Sequence, residues 1–292
     1  MAPEPVPHSI LSIPSTPSAA TTVVGVIGDP VAHSLSPRLH NVAFAALGLD
    51  WVSVGFRVPE GEAAAALIGA RALGIKGLSV TMPHKDDVAA HVDHLTPIAE
   101  RLNAVNCVTN NVGVLTGDNT DGRGLVAALR RGGHFDPDGH RCLVVGAGGA
   151  ARSVIAALAD AGASEVVVVN RTPARATAAA ALAGAIGRVG EATDAAHSEL
   201  IVNATPTGMA GSTGPDPWAL DPELLGPGQL VVDLVYHPAV TPWLEAARAR
   251  GADVLNGLGM LVHQAALQLE QWTGLEPPVD AMWRAIGEFT SE

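Results

Sequence analysis

The sequence predicts an α/β protein of two domains, each a mainly parallel sheet flanked by helices. Three observations predict it. Strand-like and helix-like stretches alternate along nearly the whole chain. The 292 residues are enough for two domains of ordinary size. Midway, VVGAGGAARS joins an apolar strand to an apolar helix through a glycine-rich turn.

The elements follow in order. MAPEPVPHSILSIPSTPSAA is proline-rich and lacks both a basic start and an unbroken apolar run, so residues 1–20 read as a disordered tail and not a signal peptide. TTVVGVIG is a strand ending in glycine, with a helix from Ser36 to Leu47. WVSVGFRV is the next strand and EAAAALIGARALG the next helix, then GLSVT is a strand and PHKDDVAAHVDHL a helix. NAVNCVTNNVGVLTGDNTDG reads as a hairpin turning at NNVG. DGRGLVAALRRGG begins a helix that bridges to the second unit. That unit runs through RCLVVGAGG, EVVVVNRT, ELIVNATPTG, QLVVDLVYHP and ADVLNG with helices between, again a doubly wound sheet. MLVHQAALQLEQWTG and AMWRAIGEF close the chain as helices.

Composition excludes several functions. With 48% hydrophobic and 16% charged residues the chain reads as packed and globular, and no run reaches the ~18 apolar residues of a membrane span. A cytoplasmic protein is expected. The net charge of −12 argues against a general nucleic-acid binder, so an anionic ligand must be held by a few placed groups. Cys107 and Cys142 form no disulfide framework or metal motif. His91 and His94 have i, i+3 helical spacing, but a third ligand is not apparent and no metal is expected.

Chemistry concentrates at the strand-to-helix turns. Gly146, Gly148 and Ala151 give G-x-G-x-x-A, with Ala147, Gly149 and Ala150 completing the turn. Such a turn lets backbone approach a pyrophosphate at a helix N-terminus, although glycine turns also serve structure alone. The following strand ends in Asn170, Arg171 and Thr172, with Arg175 one turn on. A carboxylate there would bind a ribose 2′-hydroxyl, whereas guanidinium groups pair with a 2′-phosphate, so NADP is the expected cofactor. Thr172 before Pro173 also reads as a helix cap.

Earlier, Ser34 and Ser36 precede Pro37. Ser36 reads as an N-cap with proline at N1, and Ser34 is not needed for that cap. Two hydroxyls beside free amides would also seat a carboxylate. Thr81 lies at a second such turn, and Lys85 falls in the first turn of the next helix, where the dipole disfavours a cation by a few tenths to ~1 kcal/mol. The chain has two lysines among seventeen basic residues, Lys76 and Lys85. Lys76 reads as an ordinary surface residue. Asn103, Asn106, Asn119 and Asp121 could all be turn formers, and Asp121 is the natural carboxylate partner if the fold brings it to Lys85.

The ordered set GDPVAHSLSPRLHN, GLSVTMPHK, NAVN, DNTDGRG, VVGAGGAARS, NRT, NATPTGM, VVDLVYHP and NGLGMLVHQAA resembles the shikimate dehydrogenase family, from about Val24 to Trp272. The resemblance implies a discontinuous substrate-binding domain, residues 21–121 plus 257–292, with a Rossmann-type NADP domain, 122–256, inserted. It implies a cleft in which Ser34 and Ser36 bind a carboxylate, and Thr81, Lys85, Asn106, Asp121 and Gln264 contact ring hydroxyls. Tyr236 matches the tyrosine after the family's DLVY strand and by that resemblance would also bind the substrate. Asn203, Thr205, Gly208, Met209, Gly257 and Met260 would line the nicotinamide end. The implied reaction is reversible reduction of 3-dehydroshikimate to shikimate by NADPH, a step of aromatic amino acid and chorismate biosynthesis, with Lys85 and Asp121 as the acid–base pair. Two other readings stay open: a quinate/shikimate dehydrogenase using NAD, and a non-catalytic shikimate or quinate sensor. The SLSP and DNTDG motifs argue against a methylenetetrahydrofolate dehydrogenase. The expected partner is a small-molecule substrate, and a homodimer is left open.

Overall fold

The computed structural model describes residues 16–208 and 220–287. The first unit comprises β1 (Thr22–Gly28), α1 (Ser36–Ala46), β2 (Trp51–Arg57), α2 (Ala63–Ala72), β3 (Gly77–Val80), α3 (Lys85–His91), β4 (His94–Leu95), α4 (Pro97–Leu102), β5 (Cys107–Asn111) and β6 (Val114–Asp118). Its sheet order is β2-β1-β3-β5-β6-β4. β2, β1 and β3 pair in parallel, β5 is antiparallel to both β3 and β6, and β4 is parallel to β6. Five of its six strands therefore run one way, with β5 alone reversed.

Two local departures from the sequence reading have clear causes. The third helix stops at His91, because Val92 turns extended and His94–Leu95 pair with Thr116–Gly117 of β6. His91 and His94 thus do not share a helix. Pro97 then starts α4, capped by the Thr96 side chain. The expected hairpin is present, with Asn111 opposite Val114. Its turn places Val112 and Gly113 at φ of 51° and 86°.

α5 (Asp121–Gly132) leads into the second unit: β7 (Arg141–Val145), α6 (Gly149–Asp160), β8 (Glu165–Val169), α7 (Pro173–Ala180), β9 (Gly187–Val189), β10 (Leu200–Asn203), β11 (Leu230–Asp233), α8 (Pro242–Ala249) and β12 (Asp253–Asn256). All strands are parallel in the order β12-β11-β10-β7-β8-β9. This is the doubly wound order whose ligand crevice opens between its first and fourth strands, here β7 and β10. β9 is too short to stand out in the sequence, and a single 3₁₀ segment, Ala192–His197, takes the place of the helix expected before β10.

α9 (Leu258–Thr273) and α10 (Val279–Ile286) return to the first unit. Leu258, Val262, Ala265, Leu269 and Trp272 share a core with Val24, Leu39, Phe44 and Met282. The second core is built on Val144, Val166, Val168 and Val202, with Leu125 and Leu129 of α5 packed into it. α5 is held closely on both sides. A Cβ at Gly122 would lie 2.3 Å from the Ser153 carbonyl oxygen of α6, and one at Gly124 would lie 2.7 Å from the Gln264 nitrogen of α9.

Candidate active site

Strand direction explains why residues far apart in sequence meet. The chain leaves β1, β3 and β6 at one edge of the first sheet, and the reversed β5 enters from that same edge. The loop after β1 carries Ser34 and Ser36, that after β3 carries Thr81 and Lys85, Asn106 precedes β5, and Asp121 follows β6. Backbone bonds from Thr81 to Ile27 and from Asp29 to Met82 lock the first two loops together.

Lys85 is the first residue of α3 and Asp121 the first of α5. Their side chains meet, with Lys85 Nζ donating to Asp121 Oδ2 at 2.5 Å. Asp121 Oδ1 accepts from Asn106 Nδ2 at 2.6 Å, so each carboxylate oxygen is held by a different donor. The Lys85 side chain is 16% exposed and that of Asp121 7%, which leaves the amine as the more accessible partner. Asp86 and Asp87 do not compete for it. Asp87 pairs with His91, and Asp86 reaches Arg152 of α6 at 2.5 Å.

Asn106 is buried and bonded at both ends. Nδ2 faces Thr120 Oγ1 and Asp121 Oδ1, while Oδ1 accepts from the Thr120 amide at 2.7 Å. Gln264, on α9, also reaches this cluster, its Oε1 lying 3.4 Å from Asn106 Nδ2. Tyr236 is half-buried against the α9 core, and burial raises its phenol pKa.

The capping role expected of Ser36 is not taken by either serine, since the N-cap of α1 is Leu35. Helix α1 begins at Ser36 with no side-chain cap, so Ser36 is not the N-cap. Ser34 Oγ instead accepts from the Ser36 amide at 3.3 Å. The one-residue shift leaves Ser34 bracing the turn and frees the Ser36 hydroxyl from capping. Thr172 does sit at the N-cap of α7, before Pro173, yet makes no capping bond.

The second sheet presents its own C-terminal edge. Gly146 has φ of 116°, and a Cβ there would lie 3.0 Å from the Ala204 carbonyl oxygen, so glycine is needed both for conformation and for space. Ala147, Gly148, Gly149 and Ala150 lead into α6, whose N-cap, Gly148, carries no side chain to occupy the first amides. Past β8, Asn170 Nδ2 donates to the Thr172 carbonyl. Arg171 and Arg175 are exposed, and among the described residues neither has an ion-pair partner. Past β10, Asn203 Oδ1 accepts from Thr205 N and Oγ1, and Asn203 Nδ2 donates to Asp233. Burial raises the Asp233 pKa against the opposing hydrogen bonds from Thr241, Val235 and Asn203. Gly208 is at φ of 85°, and Met209 lies outside the described residues. Gly257 and Met260 enter α9 from β12, both buried.

The two edges face one another. A Cβ on Gly149 would lie 3.6 Å from Lys85 Cδ, so the glycine turn of one domain abuts the lysine of the other. Across the same gap Ser153 Oγ donates to Asn119 Oδ1 at 3.0 Å. The sequence anticipates neither the Asp86–Arg152 bridge nor this bond, since no sequence signal pairs residues 66 and 34 positions apart. Among the described residues no cluster of His, Cys, Asp or Glu could hold a metal, and no helix is long and apolar enough to cross a membrane.

A doubly wound nucleotide domain facing a second α/β domain across a lysine–aspartate pair defines a two-domain dinucleotide-dependent oxidoreductase. Family models narrow that class: "Shikimate dehydrogenase substrate binding domain" matches residues 26–108, "Shikimate / quinate 5-dehydrogenase" 129–205, and "Shikimate 5'-dehydrogenase C-terminal domain" 257–286. A shikimate dehydrogenase (NADP(+)) of Moorella thermoacetica is 45% identical over 92% of this chain and 94% of its own length. A shikimate dehydrogenase solved with NADP+ superposes with a TM-score of 0.88 at 36% identity, covering 96% of this chain and 99% of its own. Shikimate 5-dehydrogenase of Thermus thermophilus, solved with NADP(H) and shikimate, gives 0.84 at 40% identity over 92% and 100%. The chain belongs to the shikimate dehydrogenase family.

Proposed function

We propose that the protein is an NADP-dependent shikimate dehydrogenase that reversibly reduces 3-dehydroshikimate to shikimate, with Lys85 and Asp121 moving the proton. The observation that carries this reading is the 2.5 Å Lys85–Asp121 pair set against the Gly149 turn. The residues present fit NADP. A Cβ at Gly148 would meet no other atom of the described residues within 4 Å, so its glycine suits a ligand's approach, and Arg171 and Arg175, without an ion-pair partner among the described residues, suit a 2′-phosphate. Bound NADPH would supply the hydride. As hydride reaches the substrate carbonyl, negative charge builds on its oxygen, and Lys85 Nζ supplies the proton. Asp121 holds the ammonium in place and balances its charge. In the reverse direction the amine accepts the hydroxyl proton. An arginine there would hold its proton too firmly for either step.

In this reading Ser36, with Ser34 beside it, takes the substrate carboxylate, Thr81 and Gln264 take ring hydroxyls, and Asn106 acts chiefly by fixing the Asp121 carboxylate. Tyr236 also lies on the substrate side, and Asn203, Thr205, Gly208, Gly257 and Met260 line the nicotinamide end. Residues 21–121 and 257–292 form the substrate domain and 122–256 the cofactor domain, and the cytoplasm is its place of action. A spectrophotometric assay with shikimate and NADP, repeated with quinate and with NAD, tests the proposal. Turnover should be largest with shikimate and NADP. Comparable rates with quinate and NAD would favour the quinate reading, and shikimate binding without NADPH formation would favour a sensor.

A further inference from the structure

α9 carries Gln264, Gln268 and Gln271 at spacings of four and three, so all three lie on one helix face. That face is turned inward. Gln264 is 7% exposed and Gln268 fully buried. A carboxamide taken out of water needs partners at both ends, and those partners decide which end points where.

For Gln264 the partners are unambiguous. Its Oε1 accepts from Gln268 Nε2 at 2.9 Å and faces Asn106 Nδ2 at 3.4 Å, while its own Nε2 donates to the Leu261 carbonyl at 2.8 Å. Turning this amide over would set its N–H groups against two donors and its oxygen against a carbonyl. Gln268 is equally constrained, because its Nε2 also donates to the Asn106 carbonyl oxygen at 3.0 Å. Among the described residues its Oε1 has no donor.

Behind Gln268 stands His40 of α1, wholly buried, with Nδ1 3.1 Å from Ser53 Oγ and Nε2 without a partner of its own. Burial lowers the His40 pKa to about 3, with the Gln268 contact working in the opposite direction, so the ring is neutral near pH 7. A neutral imidazole carries one N–H. Among the described residues neither His40 Nε2 nor Gln268 Oε1 makes a hydrogen bond.

We propose that Gln268, anchored by its own bond to the Asn106 carbonyl oxygen, is a positioning residue for Gln264. It holds the Gln264 oxygen inward, so that the substrate meets the remaining amide N–H and must offer an oxygen able to accept. The inference rests on the reading that Gln264 contacts the substrate. It concerns the direction of that contact: a ring hydroxyl or carbonyl is bound at this point as an acceptor.

Gln268→Leu removes the donor at similar volume, and Gln268→Met serves should the leucine variant not fold. In nitrogen-15 spectra the Gln264 side-chain amide signals should shift or broaden in the variant. In the assay, kcat/KM for shikimate should fall roughly 10-fold, as for one lost positioning hydrogen bond, with KM for NADP unchanged. Placed on Gln264→Ala, the same substitution should add less than about twofold, because its route of action is gone. An unmoved Gln264 amide, a matching rise in KM for NADP, or a full further loss in the double variant would overturn the proposal. A harmless Gln264→Ala would instead remove the site reading, and the spectra would still decide the orientation.

Discussion

The chain's two lysines sit at opposite ends of one short strand. Lys76 precedes β3, where its Nζ lies 3.4 Å from the Asn110 carbonyl oxygen and from Asn111 Oδ1, on the outside of the hairpin. Lys85 follows β3 and is locked to Asp121 in the cleft. The same residue type, nine positions away, has an entirely different setting. Strand direction accounts for this. At the C-terminal edge of a mainly parallel sheet, loops and helix N-termini converge, and a crevice opens there; the other edge offers only turns. Lys85 stands where β1, β3, β5 and β6 all bring a loop, whereas Lys76 has one hairpin for company.

Substitution at Lys85 should produce the largest effect. Lys85→Arg keeps the charge beside Asp121 but not a proton that can be released, and should lower kcat about 100- to 10,000-fold with folding intact. Steady-state kinetics with a thermal melt would check it, and near-normal kcat would remove the acid–base role. Next comes the facing wall, where binding and not proton transfer is at stake. Arg171→Gln and Arg175→Gln should each raise KM for NADP about 10-fold while leaving KM for NAD nearly unchanged, as for loss of a charge-assisted contact to one phosphate. Equal losses for both cofactors would mean that these arginines act on something other than the 2′-phosphate.

The two walls also differ in how far they can be read from sequence. Gly146, Gly148 and Arg171 are legible because their chemistry is local: a turn, a helix start and the end of a strand lie within one stretch. Lys85 and Asp121 are 36 positions apart, and their pairing has to be borrowed from a resemblance. The helical rule that runs His91 on to His94 fails because a two-residue strand takes its partner from β6, which no window around His94 contains. Ser36 reads as a cap on composition alone, but one residue of helix phase makes Leu35 the N-cap, and no side chain caps the helix. Gln268 and His40 escape notice for a similar reason. A buried glutamine on an apolar helix face has no meaning until the orphaned atoms of its neighbours are known.

The His40 setting has a consequence away from both lysines. Its pKa is about 3 in the folded chain and near 6.5 in the unfolded one. A depressed value means that the folded state gains stability above the unfolded pKa. That gain is lost as pH falls from about 6.5 towards 3, because only the unfolded chain takes up the proton. Between pH 7 and about pH 5.5 this site alone should remove about 1 kcal/mol. His40→Gln should flatten the pH dependence of Tm by that amount, whatever its own effect on stability at pH 7. An unchanged slope would mean that the ring is hydrated and titrates normally.

The smallest effect should fall on the other lysine. Lys76→Arg can keep contact with the Asn110 carbonyl and the Asn111 side chain, since a guanidinium also donates to oxygen and reaches at least as far. Both contacts are long and the site opens to water, where such interactions are worth roughly 0–1 kcal/mol and the difference between two cations still less. Kinetic constants should hold within about twofold and Tm within about 2 °C. The chain uses arginine at every other basic position, so Lys76→Arg leaves Lys85 as its single amine side chain. A drop in kcat in that variant would mean that the N-terminal end of β3 is coupled to the cleft, and that the contrast between the two ends of the strand is false.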